Sequence, residues 1–260
     1  MRVYKFLKQR VYVYFILAIF TVVPLSVFAG RPFATEDAEV MEKGAWGLES
    51  GIDLSKSVSN DRSYVFCYAP QYGISKTMKI ALAVPYIRVD PDADREKQGV
   101  GDFEVALKTV IHPEKKRTAA FLVKTTYKYN SGSYENGLGG GNRETGLSMV
   151  VTKHNGKYVW HGEYGYTLVK NQQGADSDNF FQYGVAMEYV MKPRLTLVSE
   201  VFGERRPGDF GNFRAHQITP LAGLTYQLTH KIVLDMSYRV NLIKETRQED
   251  ILGIGFTADL

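Results

Sequence analysis

The chain has 260 residues, 44% of them hydrophobic, 23% charged and 13% aromatic, which excludes a disordered chain and fits one large domain. Its one cysteine, Cys67, excludes an intramolecular disulfide and a cysteine-rich zinc site. The formal charge of +4 rests on Arg2, Lys5, Lys8 and Arg10. Of 32 basic residues, the 28 beyond position 29 balance 28 acids, so the electrostatic footprint of a nucleic-acid binder is absent.

The basic start is followed by residues 11–28, apolar and uncharged, and by Val27-Phe28-Ala29, a small-x-small pattern. This is the layout of a secretory signal peptide cut after Ala29. An uncleaved membrane anchor is the competing reading, and Pro24, a helix breaker, argues against it. Residues 30–44 do not alternate and are rich in acids: Glu36, Asp37, Glu39 and Glu42. Two readings stand: a partial plug of whatever encloses them, or a disordered periplasmic tail.

From residue 45 onward the apolar residues alternate with period 2, the signature of strands that present one face to each environment. Twelve segments carry it: 45–54, 63–74, 77–89, 102–112, 118–129, 145–153, 157–168, 180–191, 195–204, 217–228, 231–242 and 249–260. In residues 157–168, for example, Tyr158, Trp160, Tyr164, Tyr166 and Leu168 share one face, with Val159, His161, Glu163 and Thr167 on the other. A tilted strand needs about 9–11 residues to cross a bilayer, and strands of soluble proteins average about 5–6. These segments fit the former.

The links alternate in length. Those after the second, fourth, sixth, eighth and tenth segments are short, and Asn155-Gly156 is a favoured hairpin pair. Those after the odd segments, such as 55–62, 90–101, 130–144, 169–179 and 204–216, are long and polar, and the last, 243–248, is intermediate. Short turns at one end and long loops at the other, over an even strand count, predict an all-β, twelve-stranded antiparallel transmembrane barrel of the outer-membrane type. Aromatic positions predict two belts: Trp46, Tyr72, Tyr158, Tyr189 and Tyr226 near the periplasmic strand ends, and Tyr64, Tyr86, Tyr127, Tyr129, Tyr166 and Tyr183 near the outer ends. Lipid offers no partner to a free backbone N–H, so such a sheet must close.

The polar face of a closed barrel lines its lumen. It carries Glu49, Asp53, Glu104, Glu163, Glu188, Glu200, Glu204 and Asp235 against Lys79, Lys108, Lys124, Lys128 and Arg239, with small residues such as Ala83, Gly165 and Gly184 between them. Glu49, Glu104, Lys108, Glu163, Glu188, Glu200 and Arg239 are the candidates for setting selectivity by charge and width. The competing reading is that acids and bases pair across the lumen and stiffen the wall, since unpaired charge in a narrow barrel is costly.

Other patterns carry no chemistry. Asp90, Asp92 and Asp94 have the spacing of a calcium loop, but Arg95 and Gly101 stand where glycine and glutamate are required. Gly139-Gly140-Gly141 is a loop tip that opens no helix, hence no phosphate cradle. The five histidines are scattered. Ser199 falls on the lipid face and His161 on the lumen face, so no nucleophile–base pair emerges. The basic, aromatic loop 205–214 reads as a solvated loop, with an inward constriction or a lipopolysaccharide contact as alternatives.

Arg31-Pro32-Phe33-Ala34-Thr35-Glu36-Asp37-Ala38, then Gly44 and Leu48-Glu49-Ser50-Gly51, resemble the opening of the outer-membrane proteins named for the meta-pathway of phenol degradation. Val84-Pro85-Tyr86, Gly99-Val100-Gly101-Asp102-Phe103, Lys108, Glu200 and Gly203 resemble later parts of that family, and Glu36 departs from its usual aspartate. The resemblance implies a transporter-like barrel without a catalytic step. The expectation is an integral channel in the outer membrane of a Gram-negative bacterium, for passive uptake of small molecules, aromatic or hydrophobic compounds among them. No catalytic residue, metal or cofactor is expected. The partners expected are membrane lipid, lipopolysaccharide, the barrel-assembly machinery and a small solute, with no nucleic acid. The alternative is a closed structural or adhesive barrel whose outer loops bind partners or lipopolysaccharide.

Overall fold

Alternation of this length becomes a closed wall in the computed structural model, which describes residues 30–91, 95–172, 179–205, 217–243 and 246–260. The leader 1–29, Asp92, Asp94 and most of the loop from Arg206 to His216 lie outside the described residues. The strands are β1 (Trp46–Ser57), β2 (Arg62–Ser75), β3 (Met78–Asp90), β4 (Lys97–Val100), β5 (Phe103–His112), β6 (Ala120–Tyr129), β7 (Asn142–Asn155), β8 (Tyr158–Asn171), β9 (Phe180–Lys192), β10 (Leu195–Arg205), β11 (Gln217–Gln227), β12 (Ile232–Ile243) and β13 (Thr246–Asp259). Each pairs antiparallel with its neighbour. β1 pairs with β13 as well as β2, and β2–β3 pairing closes the ring. β4 and β5 both pair with β3 and form one wall strand, so the barrel is twelve-stranded. Closure leaves no sheet edge, the condition that lipid imposes.

Most strands run past the expected bounds at the long-loop end. β7 starts at Asn142, β8 ends at Asn171, and β13 starts at Thr246, within the expected link 243–248. Above the lipid the ladder needs no apolar side chains: Asn142, Arg143 and Glu144 pair with Asn171, Lys170 and Val169. The expected strand 102–112 instead begins as β4, breaks at Gly101-Asp102 and resumes as β5. The break frees Asp102 from the ladder for contacts with the loop before β7. At the opposite end the tight turn is Gly156-Lys157, one residue beyond the expected Asn155-Gly156 pair: Asn155 stays in the ladder opposite Tyr158, and Gly156 has φ +63°, where a side chain would be strained.

The outward face is apolar. Val185, 60% exposed, lies mid-strand on β9 beside Val201 of β10, and Leu147, Met149, Tyr164, Leu224, Met236 and Ile254 continue the band. Trp46 stacks on Tyr72 and Tyr158 on Tyr189 at the short-turn end. Tyr164 and Tyr166 flank Phe181 toward the other end, where Arg143 lies over Tyr129. A band of this extent on a soluble protein would be an aggregation site, whereas between aromatic girdles it is a lipid surface. Val185→Arg is therefore expected to cost about 2–4 kcal/mol of stability in lipid, the range for arginine at the bilayer midplane. Urea titration of the vesicle-inserted protein checks this, and an unchanged midpoint would contradict the assignment of that face.

Candidate functional site

The aperiodic stretch 30–44 joins a wall strand only at its end, where the Gly44 amide donates to the Gly73 carbonyl of β2 at 2.8 Å, so most of its other backbone groups must find side chains or water. They find the inner wall. The amides of Ala34 and Thr35 donate to the Glu200 carboxylate of β10, Ala34 at 3.0 Å. The Glu36 amide donates to Glu163 of β8 at 2.8 Å, and the Ala38 amide to Thr152 Oγ1 of β7 at 2.9 Å. The segment thus crosses from β10 to β7 through carboxylates aimed inward by strand alternation.

Its side chains are matched as well. The Arg31 guanidinium lies between Asp53 of β1, at 3.6 Å, and Asp235 of β12, at 3.4 Å. Asp53 also accepts from Arg239 at 2.5 Å. The Glu36 carboxylate is 2.5 Å from Lys108 Nζ of β5. Ala38 and Val40 pack on Ala120, Leu122, Val150 and Val110, an apolar knot inside the short-turn end in which Leu122 is fully buried. Two wall glycines make room: a Cβ on Gly255 would strike the Arg31 guanidinium, and one on Gly184 would strike Thr35 Oγ1. Where the segment leaves, His154 Nε2 is 3.6 Å from Glu39, and His154 Nδ1 is 2.6 Å from Glu114 in the β5–β6 turn.

Burial acts first on the carboxyls of this segment. It raises Asp37 to about 6, against the pull of Lys79, and it raises Glu39 to about 7, reinforced by Asp37. In Glu36 burial is outweighed by Lys108, Lys124 and Lys79, which hold it at about 2. The segment is therefore held by one strongly ionised carboxylate and carries two that prefer a proton.

The seven candidate wall residues mostly meet around this segment. Lys108, Glu163 and Glu200 touch it directly. Glu163 also takes Lys124 at 2.7 Å and Gln182 at 2.9 Å. Glu188 is one step away: its carboxylate accepts from His161 Nε2 at 3.1 Å, and the other ring nitrogen meets Thr152 Oγ1 at 2.9 Å. Arg239 acts through Asp53. Glu49 bonds Gln71 and lies against Gly30. Glu104 stands apart, in register with Lys128 on the wall toward the long loops. Sequence reasoning missed Gly51, Gly184 and Gly255 as spacers and Thr152 and His161 as anchors. The one signal available was their place on the inner face of their strands.

A second sector of the inner face is different in kind. Val65, Cys67 and Ala69 of β2 lie beside Ile87, Pro85 and Ala83 of β3, while Phe66, Tyr68, Leu82 and Tyr86 point outward. An apolar stripe thus runs up one side of the lumen toward the long loops.

The family model described as "Putative MetA-pathway of phenol degradation" matches residues 29–257. Among solved structures, the COG4313 outer membrane channel from Pseudomonas putida F1 is similar with a TM-score of 0.67. It is 16% identical, over 86% of this chain and 98% of that one. The KdgM porin in complex with disordered oligogalacturonate has a TM-score of 0.58 at 7% identity, over 82% and 99% of the two chains. The translocator domain of autotransporter NalP from Neisseria meningitidis has a TM-score of 0.51 at 9% identity, over 84% and 89%. No curated protein matches the sequence. The likenesses share the outer-membrane barrel fold, and they include a channel, a porin and a translocator domain, so the fold alone does not choose a function.

Proposed function

Since this chain belongs to the family of the putative MetA-pathway of phenol degradation, we propose that it is an outer-membrane channel for passive uptake of small molecules, aromatic and other apolar compounds among them. The observation that carries the reading is what fills the lumen. The wall contributes many small residues, and the space they leave is taken up by residues 30–43, which are held by wall side chains and not by the barrel's backbone ladder. A barrel built only as a scaffold is filled by side chains of its own wall. Here the filler is a separate N-terminal segment, and its anchors include three of the candidate selectivity residues. Glu200, Glu163 and Lys108 hold the segment, and Glu104 with Lys128 lines the approach to it. The apolar stripe of Val65, Ala83, Pro85 and Ile87 supports apolar solutes, and the similar barrel from Pseudomonas putida F1 is an outer membrane channel.

In this reading residues 1–29 direct export, residues 30–44 form a partial plug and residues 45–260 the barrel. Lipopolysaccharide meets the outer loops, and the barrel-assembly machinery inserts the chain by its apolar last strand. No step of bond making enters.

The segment's carboxyls make the plug pH-dependent. Asp37 and Glu39 bind a proton more tightly when docked, at about 6 and 7, than at their ordinary values of 3.8 and 4.5. For such groups docking is unpenalised below the ordinary value and weakens as pH rises through the docked value. Glu36 has the opposite sign: its contribution is present above 4.5 and is lost as pH falls toward 2. Docking is therefore strongest near about pH 4–5. Single-channel recording is expected to show a lower open fraction at pH 5 than at pH 8, with Glu39→Gln flattening the difference. Gating that is flat between those values would contradict this account of the plug, and an inserted barrel that never conducts would contradict the channel.

A further inference from the structure

The long loop between β6 and β7 does not stand away from the barrel. Its residue Leu138 is only 6% exposed. The leucine lies against the inner face of β4, where its Cδ1 is 3.0 Å from the point a Cβ on Gly99 would occupy, and its carbonyl oxygen 3.1 Å from that point on Gly101. Gly99 pairs with Ile87, and Gly101 donates its amide to Pro85, so Leu138 sits at the upper end of the apolar stripe. Gly137 and Gly141, at φ +69° and +71°, turn the chain in and out again, a backbone geometry that side chains disfavour.

One side chain ties both limbs of this turn. Asp102, freed from the ladder between β4 and β5, accepts the Gly132 amide on Oδ1 at 2.9 Å and the Gly140 amide on Oδ2 at 2.8 Å. Ser131 adds a smaller clasp, donating its hydroxyl to the Gly101 carbonyl at 2.8 Å and accepting the Phe103 amide at 3.1 Å. A carboxylate that takes one amide on each oxygen is the acceptor such a turn requires. Asparagine offers a single oxygen and alanine none.

We propose that residues 130–141 form a second constriction, at the outer mouth, in which Leu138 sets the size of solute admitted and Asp102 is the residue that positions it. The proposal rests on the channel reading of the barrel and adds a size- and polarity-determining element separate from the N-terminal segment. An apolar collar of Leu138, Pro85 and Ile87 presents no group to replace the water of a strongly hydrated solute, so it favours small apolar faces.

Cys67 reports on this constriction without any need for conduction. It is the one thiol of the chain, it pairs in register with Pro85 on one side and with Gly51 on the other, and Gly51 lies under the Arg31 guanidinium. The thiol thus lies between the N-terminal segment and Leu138. The experiment compares, on intact cells, modification of Cys67 by a small methanethiosulfonate reagent and by a bulky polyethylene-glycol maleimide. The chains compared are wild type, Asp102→Ala, Asp102→Asn and Leu138→Ala. In wild type the small reagent reacts and the bulky one is strongly retarded. Loss of a charge-assisted hydrogen bond is expected to raise the population of the open loop about tenfold. Asp102→Ala should therefore speed the bulky reagent by about tenfold or more while changing the small one little, with Asp102→Asn between. Leu138→Ala keeps every hydrogen bond and should act in the same direction, and it carries the test where Asp102→Ala fails to insert. A bulky-to-small ratio that is the same in all inserted chains overturns the proposal, as does failure of the small reagent to reach Cys67 in any of them. A general loosening of the barrel would speed both reagents alike. A barrel that is silent in bilayer recordings yet shows the changed ratio keeps the constriction and discards the channel.

Discussion

A chain lacking residues 30–40 is expected to insert and to conduct in steps several-fold larger than those of the chain that retains them. The strands and the closing pairs of β1 with β13 and of β2 with β3 do not involve the segment, so the wall is retained. What leaves is the material across the lumen: the backbone bound by Glu200, Glu163 and Thr152, the Arg31 side chain between Asp53 and Asp235, and the apolar knot of Ala38 and Val40. The deletion removes cationic Arg31 but also Glu36, Asp37 and Glu39. The wall that remains still carries more acids than bases, so the larger steps should be cation-preferring in a salt gradient. Steps of unchanged size would mean that the segment does not limit the current.

Replacing Lys108 by methionine is expected to loosen the segment more than any other single change on the wall. The lysine and Glu36 form a buried pair, and removal of one partner leaves an uncompensated charge, at a cost of about 3–5 kcal/mol. Lys79 and Lys124 also act on Glu36 and keep the loss toward the low end of that range. Part of the cost is relieved when the segment undocks, so the open fraction should rise and the amides of Ala34 through Ala38 should lose hydrogen-exchange protection. Glu36→Gln alone leaves Lys108 buried without its partner and loosens the segment too. The double replacement removes both charges and should restore docking in large part, with a coupling of about 2 kcal/mol. Additive effects would mean that the pair does not hold the segment.

The strands and the faces of this barrel were legible because alternation encodes both at once. Trp160 and Tyr164 read as sharing the outward face, and Glu188 and Glu200 as lumenal, from their positions relative to neighbours alone. The hairpin at Asn155-Gly156 was legible to within one residue because turn geometry is local, the turn itself being Gly156-Lys157. The partners of the lumenal charges were not legible. Arg239 meets Asp53 across 186 positions, and Thr35 meets Glu200 across 165, and no local pattern records which strands face one another across a closed ring. The break at Gly101-Asp102 was hidden because glycine and aspartate also mark ordinary turns. Its reason lies in the Asp102 hydrogen bonds to Gly132 and Gly140, some 30 to 38 residues away. The glycine run at 139–141 read as a flexible loop tip, whereas Gly140 is bound to Asp102 and the preceding Leu138 is buried against the wall. Composition could not distinguish a loop that leaves the barrel from one that folds into it.

Paired single-channel recording tests the central claim most directly. The chain of residues 30–260 and the chain lacking residues 30–40 are each refolded and inserted in a planar bilayer. Small discrete steps from the first and several-fold larger, cation-preferring steps from the second are the result expected of a solute channel with an internal plug. Two chains that both insert and both remain silent would contradict the channel itself.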